Sequence, residues 1–195
     1  MVMKIAGCVL AAGFSKRFEG DKLSANIRGL PVLNWSLKCL DHFDFRAVVL
    51  RSETTKLFKI PTQIPVLVNT KAERGLSESI KLAVSWTPWE ADGLALMLGD
   101  MPFTDRIIPR LLEVFRQEKP EAVAAAFKGK PVNPVIFSRK VLHLLYMVEG
   151  DVGARNVFSK INIIPVESQE EYLIDVDTEE DLAKAEAIAR KLADF

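Results

Sequence analysis

Apolar residues follow two alternating patterns along the chain. Short aliphatic, β-rich runs over residues 5–10, 46–51, 66–69 and 93–98 alternate with amphipathic stretches over 31–42 and 76–86. Strand, amphipathic helix and strand in repeated succession predict a parallel sheet with crossover helices. After Pro31, residues Val32, Leu33, Leu37 and Leu40 fall at helical spacing, and Pro31 suits a first helical position, where its missing N–H costs nothing. Leu94 to Leu98 is apolar throughout, as a central strand covered on both faces requires. It ends at Gly99-Asp100, which puts a carboxylate at a strand's carboxyl end, where ligands of α/β sheets bind.

The second half continues in the same manner. Residues 104–117 read as a helix with Thr104 as its N-cap, 122–127 and 135–137 as strands, and 141–147 and 152–158 as two helices divided by Gly150-Asp151. Residues 161–166 and 172–176 read as strands. Thr178 and Asp181 match a capping box, with Asp in place of the usual Glu, at the head of a long Ala-rich helix that runs nearly to Phe195. No repeat, low-complexity segment or linker interrupts the pattern, so residues 1–195 are expected to form one domain. The expected fold is α/β and three-layered: a mostly parallel, Rossmann-like sheet with helices on both faces.

Composition narrows the function. The chain has 195 residues, 49% of them hydrophobic and 27% charged, which suits a folded core and excludes disorder throughout. Lys plus Arg and Asp plus Glu both number 26, so there is no global electrostatic reason to expect nucleic acid or an anionic membrane as partner. Any phosphate binding must come from local clusters. No apolar run reaches the roughly 18 to 20 residues of a spanning helix. The opening residues do not read as a signal peptide, and a cytoplasmic protein is expected. Cys8 and Cys39 sit in apolar segments away from metal-ligand spacing and read as buried, reduced thiols. His42 and His143 fall in expected helices, outside any motif, and read as structural.

The most informative stretch is Leu10-Ala11-Ala12-Gly13-Phe14-Ser15-Lys16-Arg17-Phe18-Glu19-Gly20-Asp21-Lys22, which leaves the first strand. Small residues allow backbone N–H groups to approach an anion, and Arg17 and Lys22 can neutralise a triphosphate. The bland alternative is a turn glycine with solvated charges. Neither the Walker nor the dinucleotide glycine pattern is present. Asp100 likewise suits magnesium, which usually takes one or two carboxylates and completes its shell with water and phosphate, although an aspartate before a proline also makes an ordinary turn.

In order and spacing, this loop resembles the Leu-Ala-Ala-Gly-x-Ser-x-Arg-Met/Phe-Gly-x-x-Lys signature of the nucleotidyltransferases that include the molybdenum cofactor cytidylyltransferases and guanylyltransferases. Phe18 stands where Met is common, and Glu19 displaces the glycine by one position. Leu98-Gly99-Asp100-Met101-Pro102 resembles the family's Asp-x-Pro element. Asp175-Val176-Asp177-Thr178-Glu179-Glu180-Asp181 is similar to its Asp-x-Asp-Thr-Pro-Glu-Asp element, with Glu179 in place of proline. Residues 69–80 resemble the stretch that lies around the nucleotide. Residues 129–137 and Gly150-Asp151-Val152-Gly153-Ala154-Arg155 resemble Gly-x-Pro-x-His-Pro-Val and Gly-Asp-x-Gly-Ala-Arg of the cytidylyltransferase branch, with Asn133 replacing the histidine.

The resemblance implies a nucleotide-diphospho-sugar transferase-like fold. It also implies a magnesium-dependent transfer of CMP from CTP to an acceptor phosphate, with Ala-Ala-Gly favouring cytidine over guanosine. Arg17, Lys22 and Asp100 would be catalytic. Leu10, Ala11, Ala12, Gly13, Ser15, Asn69, Gly75, Ser77 and Ser79 would bind nucleotide, and Asn133, Asp151 and Arg155 the acceptor. Asp100 would hold the metal together with Asp175, which reads as a strand end; Asp177 is the alternative, and it equally suits a helix cap with Thr178. The loop and helix residues also admit plain capping roles, and Asp151 and Arg155 an ion pair. The implied acceptor is molybdopterin, with transient contact to a molybdoenzyme or its chaperone. A sugar, polyol or isoprenoid-precursor phosphate is the enzymatic alternative, and a non-catalytic nucleotide-binding module the alternative of another class.

Overall fold

The computed structural model describes residues 2–14, 18, 20–151 and 153–193. In chain order, β1 (Ile5–Ala11) leads into the glycine loop, and β2 (Asn26–Ile27) pairs with β3 (Leu30–Pro31) in a small antiparallel hairpin. There follow α1 (Val32–Leu37), β4 (Phe45–Arg51), β5 (Val66–Asn69), α2 (Leu76–Trp86), β6 (Gly93–Leu98), α3 (Ile108–Glu118), β7 (Ala122–Phe127), β8 (Lys130–Ser138), α4 (Arg155–Phe158), β9 (Ile163–Glu167) and α5 (Glu179–Ala193). Seven strands form one sheet in the order β5-β4-β1-β6-β8-β7-β9. All are parallel except β8, which runs antiparallel to both β6 and β7. The fold is therefore the expected α/β architecture, a mostly parallel sheet flanked by helices.

The period of two in β1 builds both faces. Ile5, Val9 and Ala11 pack with Leu33 and Leu37 of α1 and Ile108, Leu111, Leu112 and Phe115 of α3. Ala6, Cys8 and Leu10 pack on the other side with Ile80, Ala83 and Val84 of α2 and with Leu142 and Leu145. Cys8 and Cys39 are buried free thiols, and burial pushes both up in pKa, so neither is a ready nucleophile. No helix among the described residues is long and apolar enough to cross a membrane.

Several element boundaries differ from expectation for physical reasons. The helix after Pro31 is split: Pro31 is the N-cap of α1, one position earlier than expected, and residues Lys38–His42 tighten into a 3-10 turn. Thr104 does not cap α3. It is wholly buried, its hydroxyl donates to the Met101 carbonyl, and α3 begins after Ile107 with a proline in its first turn. Arg139–Met147 is 3-10 rather than α-helical, and the buried Leu142 and Leu145 recur at its period of three. Among the described residues of the following stretch, Arg155–Phe158 alone is α-helical. Residues 172–176 are not a strand. A 3-10 turn, Glu170–Tyr172, precedes an extended segment in which the Val176 N–H donates to the Asp100 carbonyl (2.9 Å) instead of joining a ladder. Val176 is buried between Asp175 and Asp177, as an alternating strand would require, but its backbone partner is a loop.

A third apolar cluster positions the site. Ile27, Val32, Phe103 and Val176 pack against Ala185, Ile188 and Ala189 of α5, with Phe18 of the glycine loop against them. Phe18 thus keeps the apolar character of the Met it replaces and ties the loop to this cluster. The capping box holds the head of α5 in register: Asp181 Oδ2 accepts from the Thr178 N–H (3.0 Å) and hydroxyl (2.7 Å), and Thr178 Oγ1 accepts from the Asp181 N–H (3.2 Å).

Thr178→Ala is expected to lower stability by about 1 kcal/mol in urea unfolding at pH 7. The Asp181 carboxyl lies below the usual aspartate range, chiefly because of the Thr178 hydroxyl. A depressed carboxylate stabilises the fold above its unfolded pKa and loses that contribution as pH falls through the folded value, so the gap between wild type and variant should narrow below about pH 4.

Candidate active site

Parallel pairing in register brings the two informative segments together. Leu10 of β1 lies beside Leu98 of β6, so the glycine loop departs next to Asp100. The Gly99 N–H donates to the Leu10 carbonyl (2.9 Å), and a side chain at Gly99 would place a Cβ 2.7 Å from that of Ala11. Ser36 of α1 donates its hydroxyl to the Gly99 carbonyl (2.8 Å), and Val176 holds the carbonyl of Asp100. With the backbone fixed on both sides, the Asp100 carboxylate has a defined direction. Its Oδ2 accepts from Lys22 Nζ at 2.6 Å, whereas its Oδ1 is buried without a hydrogen-bond partner.

Lys22 starts a 3-10 turn, Lys22–Ser24, capped by Asp21 Oδ1, which accepts from the Leu23 N–H. Its ammonium also donates to Asp177 Oδ1 at 2.6 Å. Burial by itself lowers the lysine pKa, but the carboxylates of Asp100 and Asp177 outweigh it and the net direction is upward. Lys22 is therefore charged throughout the neutral range. Asp175 stands at the same cluster: partial burial, then the negative charges of Asp100 and Asp177, push its pKa up. Among the described residues, the carboxylates of Asp100, Asp175 and Asp177 gather about the Lys22 ammonium, and carboxylate oxygens are the donors a hard divalent cation takes. Among the described residues no group of three or more acidic, His or Cys side chains is spaced to hold a metal ion, so those residues offer a partial ligand set, as magnesium sites often do.

Two cavities flank this cluster. The first, of about 260 Å³, is lined by Ala12, Gly13, Phe14, Lys22, Ala72, Glu73, Gly75, Leu76, Ser79, Asp151 and Asp177. The second, of about 670 Å³, is lined by Asn133 and Asp175, by apolar residues that include Leu98, Met101, Phe127, Val132, Leu173 and Ile174, and by Glu170, Glu171, Asp181 and Lys184. Asn133 reaches it from a bulge in β8. Val135 pairs with Ala124 and Val132 with Ala125, leaving Asn133 and Pro134 outside the ladder, where a proline loses no strand hydrogen bond.

The expected nucleotide residues divide into two groups. Ala12, Gly13, Gly75 and Ser79 line the first cavity, while Leu10, Ala11, Asn69 and Ser77 are buried behind it. Asn69 donates to Ser79 Oγ (2.9 Å) and accepts from the Lys71 N–H (2.9 Å), so its role visible here is to hold the loop ahead of α2. Gly13 has open space where a Cβ would stand, with no described atom within 4 Å and no positive φ. Nothing among the described residues would meet a side chain there. Ser15 and Arg17 lie outside the described residues, as does the side chain of Arg155.

Asp151 and Asn133 line different cavities. Asp151 lines the first, and its Oδ1 accepts from the Leu76 N–H (3.2 Å) while the Gly150 carbonyl accepts from Ser77 N–H (3.0 Å). It caps α2. Asp175 does not end a strand, and it faces the second cavity while Asp177 faces the first. Ser36, Glu73 and Arg51 also reach the neighbourhood of the site. Ser36 acts across 63 residues, a contact with no local pattern to announce it.

A model of the MobA-like NTP transferase domain matches residues 7–166. A probable molybdenum cofactor guanylyltransferase of Pyrococcus furiosus is 28% identical over 96% of this chain and 99% of its own length. A 2-C-methyl-D-erythritol 4-phosphate cytidylyltransferase of Dictyoglomus thermophilum is 44% identical over 29% of this chain and 26% of its own. Among solved structures, Rv0371c of Mycobacterium tuberculosis superposes with a TM-score of 0.82 at 25% identity, covering 95% of this chain and 99% of that one. Its complex with manganese gives 0.77 at 24% identity, covering 93% and 97%.

Gly75 joins the two sides of the first cavity. It has φ 99°, and an added Cβ would stand 2.6 Å from the Gly150 carbonyl carbon and 2.7 Å from Asp151 Oδ1. Gly75→Ala is therefore expected to cost about 1–3 kcal/mol in urea unfolding.

Proposed function

Since the chain belongs to the MobA-like NTP transferase family, we propose that this nucleotidyltransferase moves CMP from CTP to the phosphate of a molybdopterin-type acceptor. The observation that carries the reading is Lys22, bound to Asp100 and Asp177 between a small cavity under the glycine loop and a larger one holding Asn133. A triphosphate entering the first cavity meets Lys22 and the N–H groups around Gly13, with Arg17 in the same loop. An acceptor in the second cavity lies across Asp175 and Asn133, its phosphate toward the cluster.

The step is an in-line displacement. An oxygen of the acceptor phosphate forms a bond to the α-phosphorus of CTP while the bond from that phosphorus to the β-phosphate bridge breaks, and pyrophosphate leaves with that electron pair. A phosphate monoester is already anionic at neutral pH, so no strong base is required. The work of the chain is alignment and charge neutralisation: Lys22 and Arg17 balance the charge growing on the pyrophosphate, and the loop N–H groups orient it. The buried, unpartnered Oδ1 of Asp100 fits a hard divalent cation, with Asp175 as second carboxylate and Asp177 the alternative. Magnesium bound there would neutralise the phosphates between which the bond changes, and the manganese complex of Rv0371c supports a divalent metal.

Two observations favour close variants of this reading. The Pyrococcus relative, similar over nearly its whole length, supports GTP as donor, and the Dictyoglomus relative supports a polyol phosphate as acceptor.

Pyrophosphate release should be measured with magnesium and each of CTP, GTP, ATP and UTP, with molybdopterin as acceptor. Acceptor-dependent release with CTP, reduced on the order of 100-fold or more in Asp100→Ala and Lys22→Ala, is expected. Release with GTP alone would move the donor to guanosine, and release with none of the four would transfer the search to sugar and polyol phosphates.

A further inference from the structure

Arg51 ends β4, beside the strand that launches the glycine loop, yet it does not line the first cavity. Its guanidinium lies over the ring of Phe14, 4.8 Å from the centroid, and its Nη2 stands 4.0 Å from Asp21 Oδ2. Phe14 and Asp21 are the two ends of the loop. The Arg51 and Asp21 side chains are each 17% exposed, and Asp21 Oδ2 and Arg51 Nε are both buried without a hydrogen-bond partner. In so dry a setting the attraction between them is strong for its distance, and the cation over the aromatic face adds to it. The other oxygen of Asp21 caps the turn on which Lys22 stands. A connected path thus runs from Arg51 through Asp21 to the turn that aims the Lys22 ammonium at Asp100 and Asp177.

We infer that Arg51 is a positioning residue for nucleotide binding: one guanidinium staples both ends of the phosphate loop and so sets the direction of Lys22. The inference rests on the reading that the loop takes a nucleoside triphosphate. Because Arg51 does not line the cavity, it acts through Phe14 and Asp21 rather than on the nucleotide.

The test is calorimetric titration of the full chain with CTP and with GTP, each with magnesium, for wild type, R51A, R51K, D21N and the R51A/D21N double variant. All are measured well below the lowest melting temperature among them. D21N keeps an oxygen to cap the turn and removes only the charge facing Arg51. The expected result is a Kd for the bound nucleotide weakened about tenfold in R51A, partly restored in R51K and weakened in D21N, with the double variant no worse than R51A alone. Wild-type affinity in R51A, with its loss confined to the melting temperature, overturns the inference in favour of a purely structural role. Effects of R51A and D21N that multiply overturn it in favour of direct nucleotide contact. A wild type that binds neither nucleotide fails the proposed function, and this inference with it.

Discussion

One ammonium group shared by two carboxylates ties three distant segments of this molecule together. Lys22 comes from the turn after the first strand, Asp100 from the end of the central strand, and Asp177 from the approach to the last helix. Each is delivered by a different part of the core: the sheet register sets Asp100, the capped turn sets Lys22, and the third apolar cluster sets Val176 and, next to it, Asp177. Burial works against a charged lysine, and the carboxylates keep it charged. Charges so placed depend on one another, because removing one leaves the others poorly compensated in partial burial. The fold around them can be understood as the means of holding three distant segments to that tolerance.

Much of this was legible in the chain itself. The alternation of apolar runs and amphipathic stretches foretold the parallel sheet, because burial on both faces leaves a continuous apolar strand such as Leu94 to Leu98. The capping box at Thr178 and Asp181 was legible because both partners lie within one helical turn. Lys22 and Asp100 stood out as chemistry-bearing residues beside strand ends, and the register of β1 against β6 brings their segments together.

Where sequence reading stopped, the missing information was long-range. Residues 172–176 alternate like a strand, yet nothing in them reveals that their hydrogen-bond partner is the Asp100 carbonyl rather than a neighbouring strand. Asp151 sits in a segment that reads as acceptor-binding, but its carboxylate faces the first turn of α2, 75 residues earlier. The Ser36 hydroxyl on Gly99 and the guanidinium of Arg51 on Phe14 likewise depend on strand order, which no local pattern encodes. Asp21 joins them: one oxygen caps the turn of Lys22 and the other faces Arg51, a pairing that exists only in the folded chain.

The near contact of Gly75 with Gly150 and Asp151 also bears on how such a chain can diverge. The segment 150–151 supplies hydrogen-bond acceptors to the start of α2, and its approach to Gly75 leaves no room for a side chain between them. A bulkier residue on one side requires a matching shift on the other, so the shape of the cavity they share can be altered independently only by residues outside that joint.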